Sequence, residues 1–465
     1  MARIVIADLD GRNGQVSKDT VAGGYGSRFR ADSATTRFLR QVRKTFLNLP
    51  SIHSGYLAAI FAGAGHEVVV TRDDSPVYGD IALVLSSLVD YKHEKEWANS
   101  VRHRMKVGFF GTAATHLPEL FEDSADFIIK GEPESAALRL ANGANLSGVV
   151  LSPQIDDLDS LPFPRWDLIG SRGLHTRHGT IGATSAVPML TSRSCPEKCT
   201  YCPHRITAQF RARSVASVIA EMSQLARDYK HPHIKIRDPL FTLDRDRVVE
   251  ICKEIVSRGL DLTWECETRM DDLDAELVTA MATAGLREIA FGVESPDPLV
   301  LKRVGRRYIP HDHIREMVDL CHKLGIVTTA FYVIAFLQET EEMIEDTIRL
   351  ACDLDTTFAN FKILTPYPGT PQFKQLKDLV NESDWEQFDG YTLTFRHPVL
   401  TPRRARLMIG MANARFYLRF SRLFHQIGLH RLSSRSVVKK ADSLGWRVQD
   451  RIDREWIAER QHATI

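Results

Sequence analysis

Leu190-Thr191-Ser192-Arg193-Ser194-Cys195-Pro196-Glu197-Lys198-Cys199-Thr200-Tyr201-Cys202-Pro203-His204 places three cysteines in C-x3-C-x2-C spacing directly after a short apolar run, Pro188 to Thr191. Spacings this tight let one loop wrap Cys195, Cys199 and Cys202 around a single iron-sulfur cluster, whose ligands are thiolates, and leave a fourth iron without a protein ligand. Tetrahedral zinc with His204 as fourth ligand uses the same residue types. That reading expects two knuckles of paired ligands, and no second Cys/His pair lies nearby. The other four cysteines, Cys252, Cys266, Cys321 and Cys352, stand singly in apolar patterns, where a thiol packs as a small hydrophobe. Seven cysteines with three of them clustered do not form a disulfide framework.

Downstream of this loop a strand-helix pattern repeats to about Phe373. Strands are expected at Pro188 to Thr191, His233 to Ile236, Leu262 to Cys266, Glu288 to Phe291, Thr328 to Ile334 and Phe361 to Leu364. The helices between them carry the 3.6-residue period, as in Val215, Val218, Ile219, Met222 and Leu225 after a Ser214 cap. Six units imply a partial barrel of parallel strands with its chemistry at the strands' C-terminal ends. Those ends carry Arg237-Asp238, then Glu267 and Arg269, then Gly292-Val293-Glu294-Ser295, then Thr365-Pro366-Tyr367-Pro368-Gly369-Thr370. A charged strand end is otherwise a solvated one, and a Pro-Gly pair an ordinary turn.

Upstream, short apolar runs at Ile4 to Ala7, Glu67 to Val70, Ile81 to Leu85, Val107 to Phe110 and Phe127 to Ile129 alternate with helical stretches, as in a doubly wound parallel sheet. A long Gly-, Arg- and Ser-rich insertion separates the first two. The division expected is a Rossmann-like domain at 1–150, a linker at 151–186 rich in Asp, Pro and Leu, a partial (β/α)6 barrel at 187–375 and a helical region at 376–465. From Pro402 onward there are 14 Lys and Arg against 5 Asp and Glu, interleaved with Phe416, Tyr417, Phe420, Phe424, Trp446 and Trp456. Such a stretch is a helical cap with a solvated face, or a surface for an anionic small molecule or a lipid. Over the whole chain 60 basic residues meet 59 acidic ones, which argues against a protein that is all nucleic-acid footprint. No uninterrupted apolar run reaches the roughly 18 residues of a membrane span. The N-terminus lacks the apolar core of a signal peptide, so a cytoplasmic location is expected.

The cysteine spacing, the aromatic Tyr201 and the six-fold repeat together resemble the radical S-adenosylmethionine (SAM) superfamily, over about Val187 to Phe373. The resemblance implies a [4Fe-4S] cluster on Cys195, Cys199 and Cys202, with SAM chelating the open iron and reductive cleavage giving a 5′-deoxyadenosyl radical. It implies SAM contacts at Tyr201, Asp238, Glu267, Arg269, Gly292, Glu294 and Ser295, and a flavodoxin or ferredoxin-type electron donor. One stretch departs from the family. Where G-x-P-G-E-T is common, this chain reads Ala335-Phe336-Leu337-Gln338-Glu339-Thr340, without the glycines that let backbone approach a ligand.

Residues 1 to about 170, with Ser54-Gly55-Tyr56-Leu57-Ala58-Ala59, Ala64-Gly65-His66-Glu67-Val68 and Asp157-Leu158-Asp159-Ser160-Leu161-Pro162-Phe163-Pro164, resemble the cobalamin-dependent radical SAM enzymes. The resemblance implies a corrin over the strand ends bearing Ser86, Ser87, Gly111, Thr112 and Gly131. No D-x-H-x-x-G stretch is present, so no histidine is expected on cobalt. No G-x-G-x-x-G opens a helix, which disfavours a dinucleotide. The activity implied is methylation of an unactivated carbon of a small-molecule or lipid substrate. Radical cyclisation, ring contraction or rearrangement use the same apparatus. A non-catalytic electron carrier would leave the charged strand ends unexplained, and a zinc-bearing nucleic-acid module has only the basic C-terminus behind it.

Overall fold

The computed structural model describes residues 1–11, 15–18, 21–29, 49–169, 175–178 and 181–419. Most of the 9–50 insertion, and the C-terminal stretch with Phe420, Phe424, Trp446 and Trp456, lie outside the described residues.

The first sheet is built from β1 (Arg3–Ala7), β2 (Glu67–Thr71), β3 (Ile81–Leu85), β4 (Lys106–Phe110), β5 (Phe127–Gly131) and β6 (Gly148–Ser152). All pair in parallel, in the order β2-β1-β3-β4-β5-β6. Ile4, Val5, Ile6 and Ala7 are buried without alternation, because helices cover both faces of a parallel sheet. Leu57 and Phe61 of the helix Ile52–Gly63 pack with Ile6 and Leu83 on one face. Trp97, Phe109 and Phe121 fill the other. Strand β6 runs across the 150/151 division read from the sequence. As an edge strand it leaves Val149 and Leu151 exposed, and so carries no buried run to announce it.

The second sheet contains β7 (His175–His178), β8 (Ile181–Met189), β9 (His233–Ile236), β10 (Thr263–Thr268), β11 (Leu286–Glu294), β12 (Val327–Ile334) and β13 (Phe358–Ile363). Strands β8 to β13 are parallel and lie in chain order, an open partial barrel, with β7 antiparallel on the edge beside β8. Four of the intervening helices start on side-chain caps: Ser214, Asp244, Asp274 and Thr340 each accept a backbone N–H three residues on, satisfying a donor the helix leaves free. The helix Pro402–Tyr417 docks on β13, where the Tyr417 hydroxyl donates to Ala359 O at 2.8 Å. Among the described residues no helix is long and apolar enough to cross a membrane.

Two features bind the halves together. The linker crosses the helix Ile52–Gly63 at Gly55, where an added Cβ would stand 2.8 Å from Pro164. The described part of the insertion spans the opposite side: the Tyr25 hydroxyl donates to Pro368 O at 2.6 Å and its ring stacks on Tyr367 at 5.2 Å. The carboxyl ends of both parallel sheets therefore face a common space.

At the end of β5, Gly131 holds φ at 115°, where L side chains are strained, and a Cβ would run into Ser152 O of β6. Gly131→Ala is expected to cost about 2–4 kcal/mol, seen as a lowered denaturation midpoint. Gly63→Ala, in a helix with nothing near the added methyl, is expected to be neutral or stabilising by up to about 1 kcal/mol.

Candidate functional site

Two cavities open at the sheets' facing ends. The first, of about 190 Å³, is lined by Cys195, Cys199 and Cys202 together with Tyr201, Glu267, Arg269, Gly292, Glu294 and Arg306. Cys199 is 4% exposed. Burial pushes the Cys195 thiol up and the Cys202 thiol up to about 12, so ionisation of these groups is favoured by a positive charge beside them. Among the described residues no three His, Cys, Asp or Glu side chains gather tightly enough to hold a single metal ion. The three thiols line one cavity, where a polynuclear cluster would draw on all of them.

Arg306, from the loop after the helix Pro298–Arg303, escaped the sequence reading. Its guanidinium donates to Gly292 O at 2.6 Å, lies 3.5 Å from Glu294 Oε1 and reaches Cys199 Sγ at 3.9 Å. At Gly292 an added Cβ would stand 2.6 Å from Arg306 Nη2 and closer still to the Glu294 carboxylate, so a side chain there would push both charged groups out of this arrangement. Glu294 itself sits at φ 67°. Burial raises its carboxyl and Arg306 opposes the shift. Arg269 is held by Asp271 in a bidentate pair at 2.9 Å for both bonds, leaving Nη1 buried without a partner. Glu267 accepts from Arg237 at 2.8 Å.

Two residues expected in this cavity do not line it. The Asp238 carboxylate is fully buried, accepting from Thr191 N at 2.7 Å and from the hydroxyls of Thr191 and Ser192 at 2.5 and 2.7 Å. It braces the root of the cysteine loop. Ser295 donates to Glu339 at 3.4 Å and accepts from Asp297 N at 3.3 Å, shaping the turn after β11. In the stretch that departs from the family, Ala335 keeps the left-handed backbone that glycine would take, at φ 66°.

The second cavity, of about 110 Å³, lies between the domains. Gly111, Thr112 and Gly131 line it as expected, with His53 and Glu132 beside them. Ser86 and Ser87 do not, because both hydroxyls serve the strand ends. Ser86 Oγ donates to Phe110 O at 2.7 Å and accepts from Ala114 N, while Ser87 binds Glu94 through Oγ at 2.6 Å and through its N–H. Gly111, at φ 114° with Ser86 O 2.9 Å from where a Cβ would be, is required for the turn as well as for the space.

From the barrel side Arg193, 5% exposed, reaches over this cavity to the first domain. It donates to Glu134 at 2.8 Å, stands 3.4 Å from Glu132 and lies 4.9 Å from the centre of the Tyr56 ring. Arg193 Nη1 and His53 Nδ1 are buried 3.4 Å from Glu132 and 3.5 Å from Glu134, as charge contacts rather than hydrogen bonds. His204 and Pro239 line both cavities, forming the shared wall.

With this geometry in place, residues 189–351 match the Radical SAM superfamily, and the chain carries a radical SAM domain there. It is 28% identical over 387 residues to an uncharacterized methyltransferase of Pyrococcus horikoshii, covering 78% of this chain and 83% of that protein. The radical SAM methyltransferase TsrM from Kitasatospora setae, solved with cobalamin and a [4Fe-4S] cluster, matches the fold with a TM-score of 0.61 at 16% identity, over 89% of this chain and 91% of that one. The cobalamin-dependent radical SAM enzyme OxsB, solved with aqua-cobalamin and SAM, matches with a TM-score of 0.64 at 14% identity, over 97% of this chain and 71% of that one. The two-domain order, parallel sheet then partial barrel, is therefore the fold of the cobalamin-dependent radical SAM enzymes.

Burial would raise the Glu134 carboxyl, but the charges of Arg193 and His53 overcome it and hold the group well below the usual glutamate range. A depressed folded value gives stability that is complete above the unfolded value, about 4.3, and is lost as pH falls below it. Glu134→Gln is expected to destabilise the protein by about 3 kcal/mol at neutral pH, with the gap to wild type narrowing steadily below pH about 4 in denaturant titrations.

Proposed function

We propose that this chain is a cobalamin-dependent radical SAM enzyme that transfers a methyl group to an unactivated carbon of a small-molecule or lipid substrate. It would hold a [4Fe-4S] cluster on Cys195, Cys199 and Cys202, SAM in the first cavity and cobalamin in the second. The observation behind this reading is the shared wall: a cysteine-lined cavity and a strand-end cavity have His204 and Pro239 in common, which supports two cofactor sites side by side. When bound, the cluster supplies the electron that cleaves SAM and the corrin supplies a metal able to carry a methyl group.

The chain's own residues bind, orient and exclude water. The free Nη1 of Arg269 is a cation positioned for the SAM carboxylate, and Glu294 and Glu267 are acceptors for its ammonium or ribose hydroxyls. Tyr201, the aromatic beside Cys202, forms part of the adenine wall, its ring 5.9 Å from that of Phe336. Arg306 offsets the negative charge that three thiolates bring into a buried space. Phe291, Phe331 and Leu240 close the cavity with apolar surface, keeping water from a reactive radical. In this reading residues 1–150 and 187–375 are the corrin and SAM units, a flavodoxin or ferredoxin-type protein delivers the electron, and the enzyme works in the cytoplasm.

Cys195→Ala, Cys199→Ala and Cys202→Ala are each expected to lose most bound iron and all SAM cleavage after anaerobic reconstitution. Cys252→Ala and Cys321→Ala, in the core, should retain both. Wild-type iron content in any variant of the triad would contradict the cluster. Arg269→Ala is expected to weaken SAM binding about tenfold or more with cluster absorbance unchanged, which equilibrium dialysis would measure.

A further inference from the structure

Shortly after the fourth parallel strand of the barrel the sequence reads Leu299-Val300-Leu301-Lys302-Arg303-Val304-Gly305-Arg306-Arg307-Tyr308, four cations with no carboxylate among them. The segment lies directly against the cysteine loop. Thr200 N donates to Val304 O at 2.8 Å, and a Cβ on Gly305 would stand 2.7 Å from Lys198 O. This close approach of two backbones sets the exposed Lys302 and Arg303 within a few residues of the exposed Lys198, which directly precedes Cys199.

The cations differ in what they meet. Arg306 turns inward to Glu294 and Cys199, and Arg307 is shared between Glu197 at 3.0 Å and Asp271 at 3.4 Å. Lys198, Lys302 and Arg303 make no ion pair among the described residues. Exposed arginines elsewhere, such as Arg245, Arg258 and Arg315, each meet a carboxylate. Lys302 and Arg303 close a helix, where a cation is favoured in any case, but that does not account for Lys198. Leu299, three and four residues before them on the same helix face, is 65% exposed, and Tyr308 is exposed as well. Apolar side chains set among unpaired cations suit a brief encounter with an acidic protein, in which charge steers the approach and a small contact holds it. None of the three cations lines the first cavity, so the face stays open when that cavity is filled. Pro196 and Lys198 are where the cysteine loop itself meets solvent.

We propose that the face formed by Lys198, Lys302 and Arg303 docks the protein that reduces the cluster, a small acidic carrier of one electron. This rests on the cluster reading above and adds to it the surface through which the electron enters. The carrier loses one electron and the cluster gains it; no bond forms and no proton passes between the two proteins.

The test supplies an acidic ferredoxin, reduced and freed of excess reductant, at limiting concentration to the full-length, cluster-loaded protein with SAM, and measures 5′-deoxyadenosine. Reduced methyl viologen, a small cation that gains nothing from a basic face, is the second reductant. The ferredoxin-driven rate of the wild type is expected to fall as salt is added. The double variant Lys302→Glu/Arg303→Glu should lose about tenfold or more of that rate at low salt, together with most of its salt dependence. Its viologen-driven rate and iron content should match wild type, which shows that it has folded around an intact cluster. Lys253→Glu, which reverses an exposed cation on the helix Arg245–Ser257, should keep the wild-type rate with both reductants. A double variant that equals wild type at limiting ferredoxin, or an equal loss in Lys253→Glu, overturns the docking face. A wild type that cleaves SAM with viologen but not with ferredoxin overturns it too, and leaves the cluster reading standing. If the wild type cleaves SAM with neither reductant, the reading of a SAM-cleaving cluster falls and takes this inference with it.

Discussion

A guanidinium taken out of water without a counter-charge costs several kcal/mol, and Arg193 is nearly inaccessible to solvent. It stands two residues before Cys195, yet the carboxylates that pair with it, Glu134 and Glu132, lie just beyond β5 in the other domain. The cysteine loop thus reaches its low-energy state only when the first sheet presents its carboxyl end to it. From that constraint follow the cavity between the sheets, the burial of the Tyr56 ring against Arg193 and the setting of His53 beside Glu134. The linker and the described part of the insertion act as straps on either side, but the orientation is specified by charge.

On the carboxyl side of the barrel strands the backbone is strained at three non-glycine positions, Ser194, Glu294 and Ala335, all in the left-handed region. Glu294 and Ala335 close barrel strands and Ser194 stands in the cysteine loop, and such conformations cost about 1–3 kcal/mol apiece. At Ala335 the compensation is visible. The buried Glu339 carboxylate accepts from Phe336 N at 3.0 Å and from the Ser295 hydroxyl, holding the turn that glycines would otherwise make easy. Burial pushes Glu339 up to about 8. At a position where glycine would be free, the Phe336 N–H to Glu339 bond fixes the turn.

Much of this was readable from residues alone, where a local pattern carries the information. Ile81 to Leu85 and His233 to Ile236 are strands because their apolar runs are bounded by turns, and the three cysteines declare themselves by spacing. Small residues at strand ends were a weaker guide. Gly111 and Gly131 do line the second cavity, whereas the equally small Ser86 and Ser87 spend their hydroxyls on backbone and on Glu94. Asp238 and Ser295 stand at strand ends as expected, but an acidic or hydroxyl group there can cap a loop as readily as bind a ligand, and sequence does not separate the two. Arg306 and His53 were missed for another reason. Their significance is in partners more than eighty residues away, Cys199 for one and Glu134 for the other, and only folding brings such pairs together.

The bond from Tyr25 to Pro368 joins residues 343 positions apart, and Lys362 reaches back to Ser27 in the same region. On a ribosome adding about 5–20 residues each second, Tyr25 emerges roughly 20–70 s before its acceptor does. Within that interval the first sheet gains the last of its six strands, while the edge of the cavity walled by Gly23 and Gly24 has no complete barrel to rest on. The contacts that close the two halves on this side are therefore among the last that a growing chain can make, and an end-to-end fold of this kind is completed only when the sixth barrel strand has been made.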